Sequence, residues 1–573
     1  MFSPTDYPCI VSGKRILMID PQEKNPDRIC QFFPLSKHKK NRWKSFSRDC
    51  LEAFKNTFNF NEKTFKTGHY SGAMFWFPLR LKPSELSDNI CTPRQVEQLF
   101  LAFIDESKWS LLFLKTVCKV EMFVNLGEAN NVPDTTQSPK RKRLKLSRSQ
   151  NREDIPSQLE RMAQGKDEPS YCVFINTEKG DIEVQRMNFL KTIPNILRDG
   201  VPKNSLVWGA NVVVTTKLCD EMTMETNWYV LNYMKGEGVS PRMEELIRDD
   251  ELCSLHLVGL AAPILKVGQY THDKGHVFCY LPLPRDDSNV TGLPVHVNAF
   301  FSLSQNRRHI KWPDNNEQVD MEKEMEWNLG LAREILPEAY VTLVQHLVEC
   351  AKKEDNRSII QAVYFAFPDL NAVDGRWQEL AKETIKLLGS REILLAADST
   401  WQSPMKSIFA HQRMYPKLSP NCWNTVKSLA ETQLPNLVTT EKHVVESLEK
   451  LFKGNLNYLT PAILHDQLIQ NSAYTKLSSD KKIHLLEFLT SDKTYDHLDQ
   501  LELLPLANKM FTRFLRKDAE DVFLEESEIV DLFPRQLESF VATDLDRNCM
   551  ALLKSITKSG KWFVYNLVSI LVF

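Results

Sequence analysis

The chain has 573 residues, with 72 lysines and arginines against 74 aspartates and glutamates. Because the net charge is close to zero, no bulk field draws the chain onto nucleic acid or a membrane, and any such binding must be local. Its 12 cysteines stand singly without a CxxC pair, which disfavours a zinc-thiolate site and a disulfide scaffold. A chain of this length predicts several domains of roughly 100 to 200 residues each.

The two ends of the sequence lack patterns typical of export or membrane insertion. The start, MFSPTDYPCIV, has no basic region followed by an apolar core, as a secretory signal would. The apolar run over residues 563–573 is shorter than the about 20 residues that a membrane span needs. We therefore expect a cytoplasmic protein that does not bind membranes, with nuclear entry left open by a basic run described below.

Residues 1–125 predict the distal half of an α/β unit. Residues 16–19 and 72–81 are rich in strand-forming side chains. A helix is predicted directly after Thr92, which can cap it, with Pro93 at the first helical position and apolar residues at helical spacing beyond. Residues 111–124 predict a further strand that is mostly buried.

Residues 126–170 are rich in charged residues, Pro, Ser and Asn without apolar periodicity, and they predict a basic flexible linker. Six basic residues fall within positions 139–148, namely Lys140, Arg141, Lys142, Arg143, Lys145 and Arg148. This density is typical of a nuclear-localisation signal or an anion-binding patch, and a solvated charge run is the alternative. Nucleic-acid binding is disfavoured, because no aromatic residues alternate with the basic ones to stack on bases.

Residues 171–320 predict an α/β or β-rich middle domain, with strands over 171–175, 205–216 and 226–233 and a mixed segment over 182–198. From Met321 the apolar residues recur near a 3.6-residue period, which predicts a helical domain over 321–455, kinked or divided at Pro337. Residues 456–573 predict a helical or α+β segment. Further helices are predicted over 376–388, 441–451, 461–469 and 481–489, and we recognise no strict internal repeat.

The stretch over residues 275–312 reads GHVFCYLPLPRDDSNVTGLPVHVNAFFSLSQNRRHIKW. Residues 277–283 and 295–303 predict two strands, with prolines at their ends because proline lacks the donor that a central strand needs. Arg307 and Arg308 come just after the second predicted strand, a place where a charged loop can face a ligand.

This stretch resembles the sacsin-repeat family, in which FCFLPLP, TGLPVH, an aromatic run, NRR and a tryptophan follow an ATPase-like module related to the heat-shock-ninety chaperones. Residues 72–80 resemble the family pattern GTxFRFPLR, with Ala73 in place of threonine, and residues 496–516 resemble LxGLPLLPLANGTF, with Lys509 in place of glycine. The pattern TDxPxxVSG followed by DP is matched by Thr5, Asp6, Pro8, Val11, Ser12, Gly13, Asp20 and Pro21.

The resemblance implies part of a Bergerat-type ATPase-like sandwich, whose relatives use ATP and magnesium. The family's helix with the catalytic carboxylate and magnesium-binding asparagine, its DNGxG turn and its glycine lid do not occur in this sequence. We therefore expect no catalytic residue, no cofactor in this chain alone and no autonomous ATPase activity.

By the same resemblance, Arg307 and Arg308 are candidate phosphate contacts. A middle-domain arginine reaches the γ-phosphate in the heat-shock-ninety relatives, and a guanidinium can bond two oxygens at once. The alternative is that both arginines pair with acidic residues on a domain surface.

The loop THDKGH offers metal-ligand side chains in His272, Asp273 and His276. Gly275 favours a turn, in which this spacing fixes no ligand geometry, so we predict a solvated turn and no metal site. The patterns GxSxG, HExxH and GxxxxGK[ST] do not occur, which removes three common hydrolase and nucleotidase signatures.

The expected fold class is α/β and α+β multidomain. The resemblance implies chaperone or co-chaperone work, with client proteins or other chaperones as partners. Two alternatives stay open: a non-enzymatic protein-interaction scaffold, and a nuclear nucleic-acid-associated factor that would use the basic run. The sequence leaves the oligomeric state open.

Overall fold

The computed structural model describes residues 5–35, 62–114, 117, 119–122, 171–176, 182–197, 201–218, 222–252, 255–266, 274–284, 289–313, 321–354, 356–514, 522–545, 547–559 and 564–565. The chain divides into two compact units, Met1–Trp109 with Met122–Ser170, and Ser110–Glu121 with Tyr171–Phe573. Several sheets and many helices confirm the mixed α/β multidomain class. The finer division into five segments stays a prediction.

The first unit is built on a four-stranded antiparallel sheet with the order β3-β2-β1-β4. Its strands are β1 (Cys9–Gly13), β2 (Arg15–Ile19), β3 (Cys30–Pro34) and β4 (Tyr70–Trp76), and its helices are α1 (Pro26–Ile29), α2 (Glu62–Thr67) and α3 (Pro93–Ser110). One face of the sheet carries the small core of Cys9, Val11, Ile16, Leu35, Tyr70 and Met74.

The predicted start of α3 is confirmed by a capping box. The backbone nitrogen of Gln95 donates to Thr92 Oγ1 at 3.3 Å, and the backbone nitrogen of Thr92 donates to Gln95 Oε1 at 2.7 Å. The strand predicted over 72–81 is shorter than expected, since β4 ends at Trp76, two residues before Pro78. Proline has no backbone N–H to donate to a neighbouring strand. The hydrogen-bonded strand therefore ends before Pro78, although the strand-forming residues continue in the sequence.

The second unit contains an eight-stranded sheet with the order β11-β10-β12-β9-β8-β7-β6-β5. Its strands are β5 (Lys119–Met122), β6 (Tyr171–Asn176), β7 (Leu206–Leu218), β8 (Met222–Met234), β9 (Leu257–Ile264), β10 (Val277–Cys279), β11 (Leu281–Pro282) and β12 (His296–Ala299). The pairing of β10 with β12 is parallel, whereas the pairings from β6 to β9 and from β9 to β12 are antiparallel.

Three sequence predictions for this unit need correction. Residues 182–198, expected to be mixed, form the helix α4 (Ile182–Leu197). The strand expected over 277–283 is divided at Tyr280, whose φ of 64° breaks the pleat between β10 and β11. The strand expected over 111–124 is reduced to β5, because residues 111–113 form a turn.

Residues 111–113 form a turn, but their buried apolar side chains give the sequence the pattern of a strand. The ring of Phe113 packs on Gly259 of β9, where an added Cβ would lie 3.0 Å from the ring, and it meets Phe278 edge-on at 4.9 Å between centroids. A run of apolar residues in the sequence therefore could not distinguish this buried turn from a strand.

Helices cover the eight-stranded sheet and continue into the C-terminal part. They are α5 (Pro241–Ile247), α6 (Lys323–Gly330), α7 (Leu336–Glu354), α8 (Arg357–Phe365) and α9 (Gln378–Leu388). A π-helical turn, Leu331–Ile335, separates α6 from α7 just before Pro337. The interruption predicted at Pro337 thus takes the form of this turn, whose Glu334 carbonyl accepts a hydrogen bond from Lys235 Nζ at 3.2 Å.

The C-terminal part alternates helices with short strands and confirms the four helices predicted from 376 to 489. Its further helices are α10 (Pro420–Gln433), α11 (Lys442–Phe452), α12 (Pro461–Asn471), α13 (Ser479–Leu489), α14 (Ser527–Val530) and α15 (Arg547–Lys558). Its strands are β13 (Leu394–Leu395), β14 (Trp401–Gln402), β15 (Ile408–Phe409), β16 (Leu437–Val438), β17 (Asn457–Tyr458), β18 (Glu502–Pro505), β19 (Phe511–Arg513), β20 (Val522–Phe523) and β21 (Val564–Tyr565).

Candidate functional site

Arg307 and Arg308 lie at the tip of a tight loop that follows β12. A bridge between Leu303 and Ile310 closes the loop, and the backbone nitrogen of Ser304 donates to the carbonyl of His309 at 2.8 Å. Arg307 has a φ of 57°, in the left-handed region, and its backbone nitrogen donates to the carbonyl of Ser304 at 2.7 Å. The sequence placed the two arginines correctly in a loop after a strand.

Two buried asparagines hold this loop in place. Asn328 of α6 is fully buried; its side chain donates to the carbonyls of Ser302 and Lys311, each at 2.8 Å, and accepts from the backbone nitrogen of Ser302 at 2.9 Å. Asn289 donates to the carbonyls of Pro284 and Arg308, each at 2.8 Å. The arginines therefore project from a backbone that is fixed on both sides.

Arg307 and Arg308 are both solvent-exposed. The ion pairs near the loop belong to Lys311, which contacts Glu322 at 2.9 Å and Glu324 at 3.5 Å, and no ion pair within the described ranges includes Arg307 or Arg308. Burial raises the pKa of the neighbouring Cys279 thiol, and the charge of Arg307 opposes that rise. Two adjacent exposed cations on a fixed loop can contact an anion, and the phosphate contact stays a prediction.

Two glycines within residues 275–312 lie where another backbone segment passes very close to them. An added Cβ at Gly275 would lie 2.0 Å from the carbonyl oxygen of Val295, and Gly292 has a φ of +71° and abuts the carbonyl of Ala372. His296 is buried, and its Nδ1 accepts a hydrogen bond from the backbone nitrogen of His276 at 3.0 Å. His276 thus lies beside a structural histidine, and in the described part of the chain no group of three or more His, Cys, Asp and Glu could hold a metal ion.

In the first unit, one ion pair joins the two segments that resemble the family patterns, residues 5–21 and 72–80. Arg80 is 3% exposed and donates to Asp6 Oδ1 from Nε at 2.7 Å and from Nη2 at 2.6 Å. It also donates to the carbonyls of Asn89 at 3.1 Å and Thr5 at 3.3 Å. The bond from Arg80 lowers the pKa of Asp6, a bond from Ser84 assists, and burial opposes them. The Arg80 side chain therefore has a structural role in this unit.

The second face of the four-stranded sheet carries an apolar row, which we define as Phe32, Leu17, Ile10 and Phe75. Leu17 lies opposite Phe32 and Ile10, and Ile10 lies opposite Phe75, so the four side chains stand on one face. Phe32 is 61% exposed and Phe75 is 53% exposed, and Phe77 stacks beside Phe75 at 6.4 Å. The sequence predicted strands over 16–19 and 72–81 but could not show that the row crosses all four strands.

Several residues that the sequence analysis considered lie outside the described residues. They are the six basic residues Lys140, Arg141, Lys142, Arg143, Lys145 and Arg148, together with His272 and Asp273. Across the described ranges, no helix has the length and apolar character needed to span a membrane.

The comparisons with known proteins agree with the motifs. The family model named Sacsin domain matches residues 1–138. Human sacsin is 27% identical over 574 aligned residues, which cover 97% of this chain. The chain is sacsin-like. The aligned part is 12% of human sacsin, so this sacsin-like chain spans about an eighth of that relative's length.

Proposed function

We propose that this sacsin-like chain is a chaperone or co-chaperone module that binds partly unfolded client proteins and does not hydrolyse ATP by itself. The observation that carries the proposal is the apolar row on the first unit, which exposes two phenylalanines across one sheet face. Exposed apolar surface of this kind is typical of interaction sites. Burying it on binding is favourable by a free energy of about 25 cal/mol per Å² of apolar surface. By its resemblance to sacsin we also propose a cytoplasmic location.

Two observations support the absence of autonomous ATPase activity. The catalytic carboxylate helix, the DNGxG turn and the glycine lid of the related ATPases do not occur in this sequence. Arg80, which follows the strand that resembles the one beneath the nucleotide, uses its guanidinium to bind Asp6 and two carbonyls within the fold.

Suppression of client aggregation tests the client-binding role. A heat-labile client protein is warmed with the full chain, and light scattering is followed over time. We expect the wild type to delay aggregation and the double variant Phe32→Ser with Phe75→Ser to lose most of that delay. Leu99→Ser is the matched control, because Leu99 is 66% exposed in the same unit but lies on α3, outside the row. Equal protection by the wild type and the double variant would contradict the proposal.

The second candidate is a non-enzymatic protein-interaction scaffold, and the C-terminal part supports it. This part alternates helices with short strands from Gln378–Leu388 onward, an arrangement that offers several separate surfaces to partner proteins. A chain that binds partner proteins yet leaves client aggregation unchanged would favour the scaffold over the chaperone.

A further inference from the structure

The apolar row lies on the sheet face opposite the small core of the first unit. An antiparallel sheet that buries one face usually carries polar side chains on the other, so that apolar and polar residues alternate along each strand. The central strand β2 reads Arg-Ile-Leu-Met-Ile and does not alternate: Ile16 belongs to the core, whereas Leu17 stands on the opposite face. A run of apolar residues in one strand is typical of a sheet that is covered on both faces.

A second row of residues stands beside the apolar row on the same face. We define this flanking row as Pro34, Arg15, Ser12 and Ala73, which follow one another across β3, β2, β1 and β4. All four residues are exposed, and Arg15 is the charged residue among the eight that form the two rows. The face is therefore mostly apolar, with one cation at a defined place.

The apolar row is nearly the same when it is read in either direction. Phenylalanines occupy its two outer positions, and the isomeric side chains of leucine and isoleucine occupy its two inner positions. A two-fold axis that runs parallel to the strands, between β1 and β2, would lay Phe32 of one copy over Phe75 of a second copy. Leu17 would lie over Ile10 in the same way. Such symmetry fits an interface between two copies, because each copy then presents the same patch to the other.

Arg15 distinguishes this axis from the other two-fold axis that the face allows. An axis along the apolar row, perpendicular to the strands, would lay Arg15 over Ile19 of the second copy, because these residues stand on either side of Leu17. That contact would take a charge out of water without a partner, which is costly. The axis parallel to the strands lays Arg15 over Ser12 of the second copy, since Ser12 lies opposite Arg15 in the sheet. A hydroxyl can accept a hydrogen bond from a guanidinium, so this axis accommodates the charge.

We propose that the apolar row and the flanking row bind the same two rows of a second copy of this chain, about the two-fold axis parallel to the strands. The two sheets pack face to face at a spacing of about 10 Å, as the layers of a β-sandwich do. The dimer covers the two phenylalanines that bind clients in the proposed function, so the second copy and a client compete for one surface. This competition rests on the proposed function, whereas the self-association does not.

The size of the face indicates a reversible dimer. Four strands about 4.8 Å apart, with same-face residues about 6.8 Å apart, give the two rows a projected area of roughly 260 Å². Stable interfaces bury about 800 Å² of accessible surface per partner, well above this size. We therefore expect a dissociation constant of about 100 µM, at which monomer and dimer coexist.

Sedimentation velocity of the full chain tests the association, in reducing buffer because Cys30 is an exposed free cysteine. We expect the weight-average sedimentation coefficient to rise reversibly between about 1 and about 300 µM, on either side of that dissociation constant. The single variants Phe32→Asp and Phe75→Lys should each weaken dimerisation at least tenfold, because each would bury a charge against an aromatic ring. Leu99→Ser is the control and should dimerise as the wild type does, since Leu99 is 66% exposed on α3, outside both rows.

An equimolar mixture of the two single variants tests the pairing itself. In a mixed dimer, the carboxylate introduced at position 32 lies over the ammonium introduced at position 75, and the two unchanged rings pair at the other end of the row. The mixture should therefore dimerise at least fivefold more tightly than either variant alone. Phe32 and Phe75 are 61% and 53% exposed, so neither change removes a buried ring, and recovery in the mixture would also show that both variants fold.

Three results would overturn the self-association. They are a monomer at every concentration, dimerisation that neither single variant weakens, and a mixture that associates no better than the separate variants. The last result would mean that the rings do not meet as the axis requires.

An unfolded client added in excess separates this inference from the proposed function. Client binding should lower the dimer fraction of the wild type. A dimer that persists with a client that the chain still protects from aggregation would overturn the competition. A dimer without any protection of the client would refute the client-binding role and leave the self-association standing.

Discussion

Arg80 and Asp6 form a nearly buried ion pair in which one carboxylate oxygen, Oδ1, accepts from two guanidinium nitrogens, at 2.6 and 2.7 Å. The pair joins residues 74 positions apart, and thereby ties the segment before β1 to the segment after β4. The two patterns that resemble the family at these places therefore have a shared structural role, which their separation in sequence conceals.

Removing one partner of this pair should destabilise the first unit strongly. Arg80→Ala leaves the Asp6 carboxylate and two carbonyls without their donor, and we expect a loss of about 3 kcal/mol in the free energy of unfolding. Urea unfolding followed by tryptophan fluorescence measures it. Arg15→Ala, at an exposed position of β2, is the matched control and should change the free energy by less than about 0.5 kcal/mol. Similar midpoints for both variants would contradict the structural role.

Stability of the second unit should fall as the pH decreases below about 6.5, in part because of His256. Its ring is fully buried and Nε2 donates to the carbonyl of Lys235 at 3.1 Å; burial lowers its pKa, which that bond opposes. The folded state therefore takes up a proton less readily than the unfolded state. The stabilising contribution is complete above the unfolded pKa and is lost as the pH falls from there through the lower folded pKa.

Urea titrations at pH 5 and pH 7.5 measure this dependence. The variant His256→Gln should have a smaller difference between the two pH values than the wild type. His69→Gln, at an exposed position, should keep the full difference. An unchanged pH dependence in His256→Gln would assign the effect to other groups, such as His346, whose pKa burial also lowers.

The turn of the β18-β19 hairpin should become more stable with glycine at position 509. Lys509 has a φ of 67°, a region that costs a side chain about 1 kcal/mol and glycine almost nothing. Lys509→Gly should therefore raise the free energy of unfolding by up to about 1 kcal/mol, since the greater freedom of the unfolded glycine offsets part of the gain. Lys481→Gly, on the exposed side of α13, should lower it by about 1 kcal/mol. A loss in both variants would mean that the lysine side chain stabilises the turn.

The sequence predicted those features that depend on neighbouring residues. The four C-terminal helices have regular apolar spacing, and α3 has its cap and first-turn residues next to one another, so local patterns suffice. The family pattern has a glycine, which suits a tight turn, at the position of Lys509. The structure keeps the turn and places the lysine in the left-handed conformation.

The features that the sequence did not reveal depend on contacts between distant residues. Asn328 binds Ser302 from 26 positions away, and nothing in the helix pattern around it distinguishes a buried polar anchor from an exposed side chain. The hairpin turns at Ser399 and Lys509 share their backbone conformation and hydrogen bonds but not their side chains, so their similarity was not recognised in the sequence.

The chain should not bind ATP with micromolar affinity. The exposed residues Arg307 and Arg308 can contact an anion, yet two surface cations without a glycine-rich amide cradle or a magnesium ligand give weak binding that salt screens. Titration calorimetry with ATP and magnesium at 0.15 M salt should give no saturable heat, and Arg307→Ala with Arg308→Ala should leave the trace unchanged. Lys274→Ala, an exposed cation that precedes β10, is the control. Saturable heat that the double variant abolishes and Lys274→Ala retains would instead assign both arginines to a phosphate site, and the chain would then have to be regarded as a nucleotide-binding module.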